Sequence, residues 1–301
     1  MKHRIDPKVD CVFKALLGSE ENRNLLIHFL NAILANELTQ PITWVEILNP
    51  YNDKEFLNDK LSIVDVKARD DRRHVYQIEI QLVTHADLPE RIVYNWADIY
   101  SQQLRSGDKY EELQPTYSIW LLAENLLKND CDYLHCYKLR DDRGRVLTEQ
   151  GGIWLLELAK FSTNVIKSED QRWLQFFKDG EELDDNALPD WMSTSEMRQA
   201  MTTLSVFSEK ERAYFQYQAR QEYLRVQAAI QQGRDIALQK QREAEQKAEE
   251  AEQKARIAMQ EKEAAMQEKE TAMHEKEAAM QEKETALLEI ERLKALLANR
   301  A

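Results

Sequence analysis

Glycine and proline are scarce, at 7 and 6 of 301 residues, so long flexible linkers are not expected. Cysteine is scarcer still. Cys11, Cys131 and Cys136 cannot all pair and have no zinc-type spacing, which points to ordinary buried thiols in a reducing, cytoplasmic setting. No apolar run approaches the roughly 20 residues of a membrane span. The opening MKHRIDPKVD lacks the apolar core of a signal peptide, so no membrane partner is expected. Positive charge is also short. The formal net charge is −13, whereas DNA binding draws much of its affinity from Lys and Arg displacing counterions. Strong, indiscriminate nucleic-acid binding is disfavoured. A DNA contact would need a local basic patch, or a metal that bridges carboxylates to phosphate.

What is present is organised around Leu61 to Val83, LSIVDVKARDDRRHVYQIEIQLV. Two alternating runs flank the charged segment DDRR, the pattern of a β-hairpin. Val64, Val66 and Ala68 fall on one face of the first run, with Asp65 and Lys67 on the other. Tyr76, Ile78, Ile80 and Leu82 oppose Gln77, Glu79 and Gln81 on the second. A turn centred on Arg72, with an odd number of loop residues, sets Asp65 opposite Glu79. Directly opposed side chains lie about 5 Å apart at Cβ, close enough for two carboxylates to share one divalent cation.

Around this hairpin the pattern is mixed. DPKVDCVFKALL and ENRNLLIHFLNAILAN read as helices, then ITWVEIL as a strand and NPYNDKE as a polar turn. A helix from Pro89 to about Ser106 places Ile92, Val93, Trp96, Ile99, Tyr100 and Leu104 inward and closes at Gly107. TYSIWLLAE has the near-continuous apolarity of a strand buried on both faces, and CDYLHCYKLR and GGIWLLELAKF are further strands. The expectation is an α/β (α+β) fold with a mixed central sheet of about five strands flanked by helices. It divides as a core over residues 1–165, a helical extension over 166–230 and a repetitive helix over 231–301.

That last segment carries the heptad MQEKEAA/MQEKETA/MHEKEAA/MQEKETA, with Met259, Met266, Met273, Met280 and Leu287 in one column. A strict seven-residue period predicts a left-handed supercoil. Lys262, Lys269, Lys276 and Lys283, however, stand where a second apolar column belongs. A thin coiled coil joining copies of the chain and a solvated single helix held by Glu–Lys pairs both fit. As one helix, residues 240–301 would span roughly 90 Å, a spacer or assembly element.

The spacing Asp65–x13–Glu79–x–Gln81 is the one arrangement that looks like a reaction centre. Mg²⁺ takes one or two carboxylates plus waters and phosphate. Asp65 and Glu79, with the Ile80 carbonyl, would serve as ligands, and the metal would activate water. The competing reading is the wet face of a half-buried hairpin. Arg69, Arg72, Arg73 and His74 crowd the turn, as phosphate ligands or simply as a solvated turn, and Arg91 and Gln103 are candidates for a cleft wall.

DPKVDCVFKALLG, KLSIVDVKARD, VYQIEIQ and RIVYNWADIYSQQLRSGDKYEEL with PTYSIWLL together resemble the Rpn family of recombination-promoting, transposase-like nucleases, within the PD-(D/E)xK superfamily. The resemblance covers roughly residues 6–123 and leaves the heptad tail outside. It implies a restriction-endonuclease-like core and a DNA endonuclease dependent on Mg²⁺ or another divalent cation. Asp65 and Glu79 are then its metal ligands, and Gln81 stands at the substituted lysine position. It also makes Asp10 a further ligand or metal-water partner, although an Asp in a first helical turn equally suits the helix dipole. An amide cannot supply positive charge, so Lys67, two residues beyond Asp65, is the expected substitute. The other expectation is a nuclease-derived module that no longer cuts and works as a coiled-coil interaction protein.

Overall fold

The structure is a computed structural model that describes residues 3–49 and 64–298. The polar turn NPYNDKE and the start of the first hairpin strand lie almost wholly outside these residues. Asp10–Leu17 (α1) and Arg23–Ile33 (α2) turn Val12, Phe13, Leu16, Leu25, Leu26 and Phe29 inward, as the apolar spacing of both stretches requires. Val45–Leu48 (β1) leads to Val66–Asp70 (β2) and Val75–Gln81 (β3). Leu88–Ser101 (α3) then crosses to Thr116–Leu122 (β4). Leu134–Tyr137 (β5), Gly151–Glu157 (β6), Glu169–Asp179 (α4), Ser195–Glu209 (α5) and Glu211–Ala298 (α6) follow.

The sheet has six strands in the order β1-β2-β3-β4-β6-β5, one more than expected. β1, β2 and β3 pair antiparallel, β3, β4 and β6 run parallel, and β5 returns antiparallel along β6. The parallel β3–β4 pair needs a crossover, and α3 supplies it. β4 is buried at every position, in line with its unbroken apolarity. Gly151 opens β6 at φ +86°, where an added Cβ would lie 2.1 Å from the Thr116 carbonyl oxygen, so only glycine fits.

One apolar layer joins α1, α2, α4 and α5 to the sheet through Ile78, Ile119, Trp173 and Phe177. The other face packs Leu88 and Ile92 of α3 on Trp120, Leu122 and Leu155. The inward stripe of α3 is Leu88, Ile92, Asn95 and Ile99. Val93, expected inside, is 56% exposed, because a residue one position after Ile92 is turned by 100° about the axis.

The chain divides into two compact units, Met1–Ala228 and Ala229–Ala301. In the second, Met259, Met266, Met273, Met280 and Leu287 are all exposed. Among the described residues no helix is long and apolar enough to cross a membrane.

Candidate active site

The β2–β3 register aligns Val66 with Ile78 and Lys67 with Gln77, so one step further Asp65 stands opposite Glu79. The turn that fixes this register holds Arg73 at φ 69°, a conformation that costs a non-glycine residue energy. The buried Asp70 carboxylate offsets it by accepting the backbone N–H groups of Arg72 (3.0 Å) and His74 (2.8 Å) and the Tyr76 hydroxyl (2.9 Å). At the open end of the hairpin, Asp65 Oδ2 accepts the Ile80 N–H at 3.0 Å. That bond ties the carboxylate to the strand bearing Glu79.

The face carrying Gln77 and Glu79 is not wet. Gln77 is fully buried and Glu79 is 3% exposed, so the solvated-strand reading does not describe them. Their polar atoms are met by a short relay across the parallel strands. Trp120 Nε1 donates to Ser118 Oγ (2.9 Å), Ser118 donates to Gln77 Oε1 (3.1 Å), and Gln77 Nε2 donates to Glu79 Oε1 (3.3 Å). One weak amide donor does not offset the loss of water. Burial, and then the charge of Asp65 beside it, push the Glu79 carboxyl well above the usual carboxylate range; Arg91 and Gln77 counter this only in part.

Asp65 and Glu79 open onto a cleft of 370 Å³. Asp10 and Lys14, four apart on α1, share the helix face that lines it, and Lys14 Nζ lies 3.2 Å from Asp65 Oδ1. Arg91 of α3 reaches in from another side. Its Nη1 donates to Gln81 Oε1 at 3.4 Å, and its guanidinium lies 5.7 Å from the Trp120 ring centroid. The Gln81 amide nitrogen in turn donates to the Val83 carbonyl at 2.7 Å. Arg220, from the first turns of α6, meets Asp10 Oδ1 through Nε at 3.0 Å.

Of the residues singled out in the sequence, Asp10, Asp65, Glu79, Ile80, Gln81 and Arg91 come together in this cleft. Lys67 pairs with Gln77 in the register and is not among the lining residues. Arg69, Arg72 and Arg73 stand at the far end of the hairpin, where Arg72 reaches Gln40. Gln103 is bound to Gln114 and Thr116. Sequence reasoning missed Lys14 and Arg220. For Lys14 the one available signal was its i,i+4 spacing from Asp10. Arg220 carried none, lying 210 positions from Asp10.

Among the described residues no three His, Cys, Asp or Glu side chains are clustered as a metal centre. A hard divalent ion nevertheless needs only one or two carboxylates when water and phosphate complete its shell. Asp65 and Glu79 fit that requirement. Burial, and then the Asp65 charge, raise the Glu79 carboxyl, and a cation between the two carboxylates would relieve both.

A family model described as PD-(D/E)XK nuclease family transposase matches residues 7–233. No curated protein and no solved structure matches the chain.

Proposed function

This chain belongs to the PD-(D/E)XK nuclease family transposases, and on that footing we propose that it is a divalent-metal-dependent DNA endonuclease acting in recombination or on mobile DNA. The observation that carries this reading is Asp65 set opposite Glu79 at the floor of a cleft, with the Glu79 carboxyl pushed up by burial and by Asp65. Asp65, Glu79 and the Ile80 carbonyl would hold Mg²⁺ or a similar ion. That ion supplies Lewis acidity toward phosphate and lowers the pKa of water. Lys14 and Arg91 line the same cleft and take up charge that grows on the phosphate as it is attacked. In the balanced reaction, water adds to phosphorus, one P–O ester bond breaks and the leaving oxygen takes a proton. A phosphate monoester and a free hydroxyl remain.

A nicking assay on supercoiled DNA in Mg²⁺ tests this, with Asp65→Ala and Glu79→Ala prepared alongside. Cleavage by the unaltered chain alone supports the reading; equal cleavage by all three marks a contaminant. A second reading is favoured by the Gln81 amide, which is engaged with both Val83 and Arg91, and by the exposed methionine column of the heptad unit. On that reading the domain no longer cuts and serves a coiled-coil assembly, and no divalent metal elicits nicking. Either way, we propose that the heptad unit joins copies of the chain. Sedimentation of the full chain as a monomer, identical to a chain ending at residue 239, would defeat that.

A further inference from the structure

The first turns of α6 belong to the same compact unit as the cleft. Tyr217 fixes them there: it is 3% exposed and its hydroxyl accepts the Asp6 N–H at 3.1 Å. Tyr214, one turn earlier, stacks on His3 with ring centroids 3.9 Å apart. Arg220, Tyr223, Leu224 and Gln227 follow at helical spacing and line the cleft that holds Asp65 and Glu79. This wall lies beyond every sequence motif of the nuclease core, yet it places a guanidinium on Asp10 in the same cleft.

Arg220 is held in a particular way. Its Nε donates to Asp10 Oδ1 at 3.0 Å, and its guanidinium carbon lies 4.8 Å from the Tyr223 ring centroid. Among the described residues only Nε of its donors is engaged. Arginine carries five N–H donors in a planar fork that matches phosphate. Its partner Asp10 lines the cleft with Asp65 and Glu79, so the guanidinium stands in the same cleft as the proposed cation site.

We propose that Arg220 is a phosphate-binding residue of the cleft, held on Asp10 until a divalent cation occupies the Asp65–Glu79 site and then turned toward the backbone of bound DNA. This rests on the metal-dependent nuclease reading above and adds to it a substrate contact from the base of the long helix. The aromatic face of Tyr223 keeps the guanidinium oriented in both positions. Coulomb repulsion from the arriving cation, together with attraction to the DNA phosphate, supplies the exchange.

The test uses the full chain with Mn²⁺ followed by electron paramagnetic resonance, and a short fluorescent duplex titrated in Ca²⁺ so that cleavage does not interfere. For Arg220→Ala the two readouts move in opposite directions. Mn²⁺ binds about three- to ten-fold more tightly, because a competing cation has gone. Duplex DNA binds about ten-fold more weakly, with the salt slope reduced by about one. Arg220→Lys keeps the charge but not the fork, and falls between the two in DNA affinity. If Arg220 were only a tether between α6 and α1, Arg220→Ala would lower the melting temperature and weaken both ligands together, which overturns the proposal. Unchanged DNA affinity, or unchanged Mn²⁺ affinity, overturns it as well. Failure of the underlying reading looks different: the unaltered chain would then bind Mn²⁺ no better than Asp65→Ala or Glu79→Ala.

Discussion

Asp70 and Glu79 lie on the two strands of one hairpin and are equally hidden, each 3% exposed, yet their carboxyls shift in opposite directions. For both, burial is the largest influence and pushes upward. At Asp70, hydrogen bonds from His74 and Tyr76 and the charge of His74 outweigh burial, and the carboxyl ends below its ordinary value. At Glu79 the next influence is Asp65, another negative charge, and the carboxyl ends well above. Burial therefore does not decide the role of a carboxylate here; the donors and charges that face it do. Asp70 is fully satisfied and fixes a turn, whereas Glu79 keeps an unmet demand for positive charge at the floor of a cleft.

The contrast breaks most visibly under charge removal. Glu79→Gln keeps volume and deletes the demand, so on the proposed metal-dependent reading nicking is expected to fall by about 10³-fold or more, while the melting temperature at neutral pH holds or rises. Asp70→Asn does the reverse, costing about 2 kcal/mol of stability because the buried donors lose a charged acceptor and one of its two oxygens, with nicking per folded molecule retained. The pH dependence follows from the sign. Asp70 is depressed in the folded state, so its contribution is present above the unfolded value of about 3.9 and is lost as pH falls through the folded value. Chemical denaturation at a series of pH values should show the gap between the unaltered chain and Asp70→Asn closing in that acid range. A gap that widens there contradicts the assignment.

The next effect concerns which lysine answers the carboxylates. Alternation along β2 pointed to Lys67, two residues from Asp65, but the ammonium found beside Asp65 is that of Lys14, at 3.2 Å. Lys14→Ala is expected to lower nicking by about 10²-fold, and Lys67→Ala by less than two-fold. The opposite ranking would return the role to the strand.

Lys67 and Lys14 mark where the sequence stops being legible. Asp65 opposite Glu79 could be counted from hairpin parity alone, since register follows from a period of two and an odd loop. The six-strand sheet was nearly so, because each strand announces itself by local pattern. Lys14 and Arg220 could not be counted. Their neighbours are set by how α1 and α6 pack beside the strand ends, and no local period encodes such a distance. Alternation also misjudged the Gln77–Glu79 face as wet. It cannot tell polar residues that face water from polar residues that satisfy one another, and Gln77 and Ser118 do the latter.

That relay gives the smallest and sharpest test of the comparison. Ser118 Oγ accepts from Trp120 Nε1 and donates to Gln77, so Ser118→Ala leaves two buried polar groups unpaired at a cost of about 1–3 kcal/mol. It also frees the Gln77 amide, which among the described residues is the side-chain donor to Glu79. If the donors and charges that face them set the behaviour of these carboxylates, loosening Gln77 lowers Mg²⁺ affinity and nicking only several-fold, because Asp65 and the cleft remain. The same substitution leaves the Asp70 turn untouched, since its donors are His74, Tyr76 and the Arg72 backbone. Isothermal titration with Mg²⁺ beside a denaturation curve separates the two effects. A loss of stability with metal affinity unchanged would mean that the relay packs the sheet without positioning Glu79.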